Sequence, residues 1–179
     1  MIESLRLVPR SKQIIDRIVA LRGDVSFPMV WSAHGDSHAS GTIKLDRTGN
    51  EAEWVESMSH ELVHLCTFLA GRAADVDTMG REEFVTAKMT DEINAHAASY
   101  VTQLQMGKAT SSLVGYDEFA ALVRRRHARA LAAEDWTAIE ALARTFVTGK
   151  YASEWVGSRS GENYYDKWRR VWDEAHADD

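Results

Sequence analysis

Cysteine and proline are scarce in this sequence, and their scarcity narrows what the protein can be. Cys66 is the sole cysteine, so the chain can form neither an internal disulfide nor a zinc cluster built from cysteines. It lies in an apolar stretch, and we expect it to be a small core residue rather than a nucleophile. Only Pro9 and Pro28 are prolines, and there is no internal repeat or low-complexity tract.

Positively charged residues are also fewer than negatively charged ones. The chain has 21 lysines and arginines against 27 aspartates and glutamates, a formal net charge of −6. A protein that binds nucleic acid by neutralising phosphates needs the opposite balance, so no nucleic-acid partner is expected. The densest basic run is 124–127 followed by Arg129, and we interpret it as the solvated face of a helix.

Long apolar runs are missing, so no segment is expected to cross a bilayer and no membrane partner is expected. The N-terminus does not have the charged and then apolar layout of a signal peptide. These features predict a cytoplasmic protein, with export by a signal-independent route still open. A length of 179 residues, 45% of them hydrophobic, is typical of one globular domain over 1–179. The sequence does not indicate an oligomeric state.

What the sequence does contain is a His-Glu-x-x-His motif inside a helical pattern. His60 and His64 are one helical turn apart, so both imidazoles can reach one metal ion from the same helix face. Two neutral imidazoles make half of a tetrahedral zinc site, and Glu61 could take a proton from water that the metal activates. An apolar stripe on the opposite side predicts that this helix packs against a core. The stripe consists of Val55, Met58, Leu62, Leu65 and Leu69.

The rest of the chain shows mainly helical periodicity, with two short strand patterns near the N-terminus. Beta-branched and aromatic residues predict strands over 25–31 and 42–45, joined through a glycine-containing turn as an antiparallel hairpin or meander. His34 and His38 fall in this turn, and we interpret them as part of a polar loop rather than a second metal site. Helices are predicted over 10–22, 51–70, 81–106 (with an interruption near Thr90), 116–132, 134–148 and 162–175.

A catalytic zinc usually has three protein ligands, so a third donor must come from outside the motif. Glu92 and His96 compete for this role, one turn apart on the next predicted helix. Three small residues would let that helix pack closely against the motif helix. They are Ala95, Ala97 and Ala98.

The motif helix followed by Glu92 resembles the gluzincin branch of zinc metallopeptidases. In that family the third zinc ligand is a glutamate on a later helix, so the resemblance favours Glu92 over His96. The strand 41–45 is similar to the edge strand that binds extended substrate in minimal zincins. The pattern from Glu92 to Ala95 is also similar to that of small, uncharacterised bacterial metallopeptidases. Many gluzincins carry an aspartate one turn after the third ligand to orient a histidine; His96 stands there instead, and Asp91 could take over that role.

The resemblance implies a particular fold and division of the chain. It covers about 25–106 as the catalytic core and leaves 107–179 as a helical C-terminal extension. The implied fold is α+β and mostly helical, with a zincin-like core and a small antiparallel sheet beside the motif helix.

The resemblance also implies a function, a zinc-dependent peptidase with one Zn²⁺ that cleaves a protein or peptide substrate. Glu61 would act as the general base, and the candidate oxyanion donors are Tyr100, Tyr116 and His127. Two other functions stay open. One is a zincin scaffold that binds a partner without catalysis, and the other is a metal-dependent hydrolase of a non-peptide amide.

Overall fold

The computed structural model describes residues 8–22, 29–32, 36–37, 43–46, 51–109, 111, 113–153 and 161–177. Its helices are α1 (Pro9–Arg22), α2 (Glu51–Leu69), α3 (Arg81–Gln105), α4 (Tyr116–Arg126), α5 (Ala128–Ala132), α6 (Trp136–Ser153) and α7 (Tyr164–Ala175). Its strands are β1 (Met29–Ser32), β2 (Asp36–Ser37) and β3 (Ile43–Asp46). The turn histidines His34 and His38 lie outside the described residues, as do 25–28 of the first predicted strand. No helix in the described ranges has the length and apolar character needed to span a bilayer.

The prediction of a small antiparallel sheet is wrong, because the two longer strands run in the same direction. β1 pairs in parallel with β3, from Met29 opposite Ile43 to Ser32 opposite Asp46. Only the two-residue β2 is antiparallel to β3. The strand order is β1-β3-β2, so among the described strands β3 is central and not the edge strand that the resemblance implies. The segment between β1 and β3 contains β2, so the chain can reverse twice and return parallel to β1.

Two predicted helices also differ from the observed ones. α3 continues without interruption through Thr90, whose hydroxyl donates to the carbonyl of Thr86 at 2.7 Å, so this side chain is satisfied inside the helix. The helix predicted over 116–132 is divided at His127, where the backbone leaves helical geometry with φ −126°. The other predicted helices are confirmed with ends shifted by one or two residues, except that α6 continues through Gly149 to Ser153, five residues beyond its predicted end.

The apolar stripe predicted for α2 is confirmed, and it packs against α1. Cys66 belongs to this cluster as a buried free thiol, which confirms its prediction as a core residue. On α3, the fully buried Ala98 packs in the same cluster, whereas the fully buried Ala97 packs against the C-terminal helices. The buried residues of the cluster are Ile14, Ile15, Ile18, Val55, Met58, Leu62, Leu65, Cys66 and Ala98, with Leu69 partly buried against it. This packing leaves the opposite face of α2 for the motif histidines.

Buried hydroxyl groups connect α1, α2 and α3 immediately before the motif. Ser11 hydrogen-bonds to Ser59 at 3.1 Å and to Thr102 at 3.3 Å. Ser59 also donates to the carbonyl of Val55 at 2.8 Å. Because all three hydroxyl residues are buried, losing a partner would leave an unsatisfied polar group, and the bonds therefore favour one register between the helices. Since His60 follows Ser59, this register sets where the motif histidines meet α3.

The C-terminal helices form a second core that includes the other side of α3. Its largest fully buried side chains are aromatic and come from α3, α4 and α6: Phe84, Tyr100, Tyr116, Phe119 and Tyr151. α7 lies over this core with its apolar face, and the indole of Trp172 donates to the carbonyl of Met79 at 2.9 Å. This docking brings the first turn of α7 to the candidate site.

Candidate metal centre

The motif histidines face Glu92 across the contact between α2 and α3. The Nε2 atoms of His60 and His64 are 3.0 Å apart. Oε2 of Glu92 is 3.6 Å from Nε2 of His60 and 3.8 Å from Nε2 of His64. Ligand atoms about 2.1 Å from a tetrahedral zinc lie roughly 3.4 Å from one another. The three atoms therefore have separations close to those that one zinc ion requires.

Asp91 fixes the orientation of the His64 ring. Its Oδ2 is 2.6 Å from Nδ1 of His64, so Nδ1 donates to the carboxylate and Nε2 points toward His60 and Glu92. A carboxylate behind a ligand histidine is a common feature of zinc sites, where it determines which ring nitrogen faces the metal. The sequence predicted this role for Asp91, and its carboxylate lies at Nδ1 of His64.

Opposite charges stabilise one another in this buried site. Burial by itself would lower the pKa of His64, but the hydrogen bond to Asp91 and the charge of Glu92 outweigh it and raise this pKa to about 9. Burial would raise the pKa of Glu92, but the neighbouring imidazoles of His60 and His64 outweigh it and lower this pKa to about 2. The Glu92 carboxylate is therefore ionised without metal, whereas His64 must lose a proton to become a ligand.

His96 lies next to His60 and offers a second set of ligands. The two rings are 4.6 Å apart at an interplanar angle of 75°. One ligand atom from each of His60, Glu92 and His96 lies within 4.8 Å of the others. Burial and the charge of His60 lower the pKa of His96 to about 3, so its imidazole is neutral, as a ligand must be. His60 and Glu92 belong to both sets, and His64 and His96 compete for the remaining position.

Glu61 lines a cleft of about 810 Å³ together with His60, His64, Asp91 and Glu92. The cleft is bordered by α2, the loop that follows it, α3 and the first turns of α7. Glu61 itself is only 8% exposed. It therefore lies nearly buried beside the motif histidines, in the wall of a cleft whose volume is in the range of ligand-binding sites.

The three predicted oxyanion donors are not brought to this cleft. The hydroxyl of Tyr100 donates to the carbonyl of Val114, inside the C-terminal core. The hydroxyl of Tyr116 donates to the carbonyl of Lys108 at 2.8 Å. His127 is exposed between α4 and α5. Each tyrosine hydroxyl donates to a backbone carbonyl outside the cleft. None of the three residues lines the cleft.

Tyr164 lines the cleft, although no sequence pattern predicted it as a site residue. It lies at the start of α7, and its ring packs against that of Tyr151 at 4.8 Å. Burial, together with the charge of Glu92, raises the pKa of Tyr164 to about 12, so its hydroxyl keeps its proton near neutral pH. The helical spacing within 162–175 contains no signal that links this residue to the motif. Only the docking of α7 on α3 brings the two together.

Comparison with known proteins does not assign the chain to a family. No protein-family model matches it, and neither a curated protein nor a solved structure matches it. The interpretation of the site therefore depends on its own geometry and chemistry. Imidazole nitrogens and a carboxylate oxygen are donor types that Zn²⁺ accepts in catalytic sites.

Replacing Asp91 with asparagine is expected to weaken zinc binding by about 10- to 100-fold, although no ligand is removed. Asparagine keeps the shape of the side chain but loses the charge that orients and polarises His64. Competition with a chelating dye would measure the affinity. Asp75→Asn is the matched control, because Asp75 is an exposed acidic residue of the same cleft. If Asp91→Asn binds zinc as tightly as the control does, the orienting role is wrong.

Zinc binding is also expected to tighten as the pH rises from about 6 to about 8. With a pKa of about 9, His64 is protonated in the metal-free protein over this range, and zinc must displace that proton. A higher pH lowers the free-energy cost of deprotonation, so the affinity should rise by up to roughly tenfold per pH unit. Calorimetry in buffers of different protonation enthalpy would count the released protons. An affinity that does not change with pH would contradict His64 as a ligand.

Proposed function

We propose that this chain is a zinc-dependent metallopeptidase that hydrolyses peptide bonds in a protein or peptide substrate. The observation that carries the proposal is the convergence of His60, His64 and Glu92 on one point at the cleft, with Glu61 beside them. Two imidazoles and one carboxylate would leave the fourth position of a tetrahedral zinc open, as in catalytic sites. On the same grounds we propose that the site is gluzincin-like.

The chemistry follows from the position of Glu61. Zinc bound here would polarise the scissile carbonyl and lower the pKa of water toward neutrality. Glu61 would accept a proton from the water as its oxygen attacks the carbonyl carbon. The same carboxyl group would then pass the proton to the amide nitrogen as the carbon–nitrogen bond breaks. The products are a carboxylic acid and an amine, and Glu61 returns to its ionised form. The acid then gives its proton to the amine, which leaves a carboxylate and an ammonium group.

Tyr164 replaces the earlier candidates as the donor to the developing oxyanion. It lines the cleft together with Glu61 and the metal-facing residues. Its raised pKa, about 12, keeps the hydroxyl protonated, so it is available to donate. A fixed donor at the carbonyl oxygen is useful because negative charge grows there in the transition state.

A second candidate function is a zinc-binding module without catalysis, and the position of His96 favours it. If His60, His64, Glu92 and His96 all coordinated one ion, the site would have four protein ligands, as structural zinc sites have. The separations within the set of His60, Glu92 and His96 are compatible with metal binding. The retained Glu61 argues against this function, because a closed site does not need a base.

Zinc content and cleavage, measured on the same samples, test the proposal. Wild-type protein is expected to hold zinc and His60→Ala to hold essentially none, because His60 belongs to both ligand sets. His127→Ala, which changes an exposed histidine away from the cleft, should behave as wild type. In a proteome extract, only the zinc-containing proteins should produce new peptide termini. Zinc retained in full by His60→Ala would overturn the site, and zinc without new termini would favour the binding module.

A further inference from the structure

A second cavity, of about 340 Å³, lies beside α2 and shares no lining residue with the cleft. Its walls come from α1, α2, α3, α6 and the loop after α2. On α2 the cavity is lined by Val63, Cys66 and Thr67, whereas the cleft is lined by Glu61, Leu65 and Phe68. The two spaces are therefore on different flanks of the motif helix, and the cavity is not part of the proposed peptidase site.

Positive charge dominates this cavity. Four arginines line it, and Glu140 is the one acidic residue in the lining. A single oxygen of Glu140, Oε1, accepts from Arg10 at 2.8 Å and from Arg144 at 2.7 Å. The remaining two, Arg17 and Arg72, make no ion pair with any residue that the structure describes. The cavity therefore carries a surplus of three positive charges, although the whole chain has a net charge of −6.

The positive charges of three of these arginines all affect the Cys66 thiol in the cavity wall. Burial raises the pKa of the Cys66 thiol, and the charges of Arg17, Arg72 and Arg10 oppose that effect. These three side chains come from α1 and from the loop after α2, yet all of them influence one buried atom. Convergent like charges repel one another, and a concave surface focuses their field. A bound anion would relieve this repulsion.

We propose that this cavity binds a small molecule that carries a phosphate group. Arginine is the side chain best suited to this ligand, because its planar fork can donate two parallel hydrogen bonds to phosphate oxygens. A dianionic phosphate would neutralise most of the surplus charge. A volume of about 340 Å³ falls in the range of small-molecule sites, so the cavity has room for an organic group beside the phosphate.

The position of the cavity connects it with the metal centre. Thr67 lines the cavity, and its side chain is one of the groups that hold the pKa of Asp91 below its ordinary value. Asp91 in turn holds His64 at 2.6 Å. A ligand in the cavity would therefore lie next to the group that orients a proposed metal ligand.

Calorimetric titration with inorganic phosphate, at constant ionic strength, tests the assignment on the purified full chain. We expect wild-type protein to bind phosphate and the double variant Arg17→Gln/Arg72→Gln to bind it roughly tenfold or more weakly. The matched control is Arg125→Gln/Arg126→Gln, which removes the same charge from an exposed part of α4 outside the cavity. Because Arg17 and Arg72 are exposed, the variant should fold, and circular dichroism would verify this.

The His60→Ala protein separates this site from the proposed metal centre. Phosphate held by the arginines should bind to that variant as it does to wild type, whatever its zinc content. Phosphate binding that is lost in His60→Ala would place the anion at the metal centre and overturn the assignment. Equal affinities of the cavity variant and the control variant, or no binding to wild type, would overturn it as well.

Discussion

Glu61→Gln is expected to retain zinc and to lose peptide hydrolysis. Glutamine has the shape of glutamate, so the packing of this nearly buried side chain should be preserved. It has no carboxylate to accept the proton from water, and loss of general base catalysis typically lowers rates by about 10²- to 10⁴-fold. Turnover on a peptide identified from the new termini, measured with zinc content on the same sample, would show both effects.

The control for Glu61→Gln is the same substitution at Glu83. Glu83 is exposed in the first turn of α3 and does not line the cleft. Glu83→Gln should therefore leave turnover unchanged. If Glu61→Gln cleaves as fast as wild type, Glu61 is not the base. If it loses its zinc, the defect belongs to metal binding and the mechanism needs another explanation.

Glu92→Ala and His96→Ala are expected to differ strongly in zinc affinity. Glu92 is in both ligand sets, and its oxygen lies within 4 Å of both motif histidines. Removing it should weaken zinc binding by roughly 10²-fold or more. A structural site with four ligands binds zinc with a free energy of about 10–16 kcal/mol in total, and each ligand supplies a share of it. His96→Ala should cause a much smaller loss if His64 completes the site.

Other patterns of zinc loss among these variants would identify a different set of zinc ligands. A strong loss of zinc in His96→Ala, with His64→Ala nearly as tight as wild type, would make His96 the third ligand. Strong losses in all three variants would indicate four protein ligands and favour the binding module. His96→Gln should accompany His96→Ala, because His96 is closely packed and the larger side chain leaves a smaller cavity.

The helical elements were predictable because their signal is local. A stripe such as Val55, Met58, Leu62 and Leu65 repeats at helical spacing whatever surrounds it, and it is buried as expected. The direction of β1 relative to β3 has no such signal. Strand patterns give the period of a strand but not its partner's orientation, and the route of the chain through β2 made the pair parallel.

The candidate site also combines features that the sequence determines with features that only the tertiary structure determines. Helical geometry alone determined that His60 and His64 share one face with Glu61 beside them, because residues four apart are neighbours on any helix. Tertiary structure alone decided that Asp91 orients His64, that His96 lies against His60, and that α7 brings Tyr164 into the cleft. These contacts join residues distant in sequence, and they depend on how α2, α3 and α7 pack. Sequence periodicity defines the faces of each helix, but the angles and register at which those faces meet arise only when the whole core is assembled.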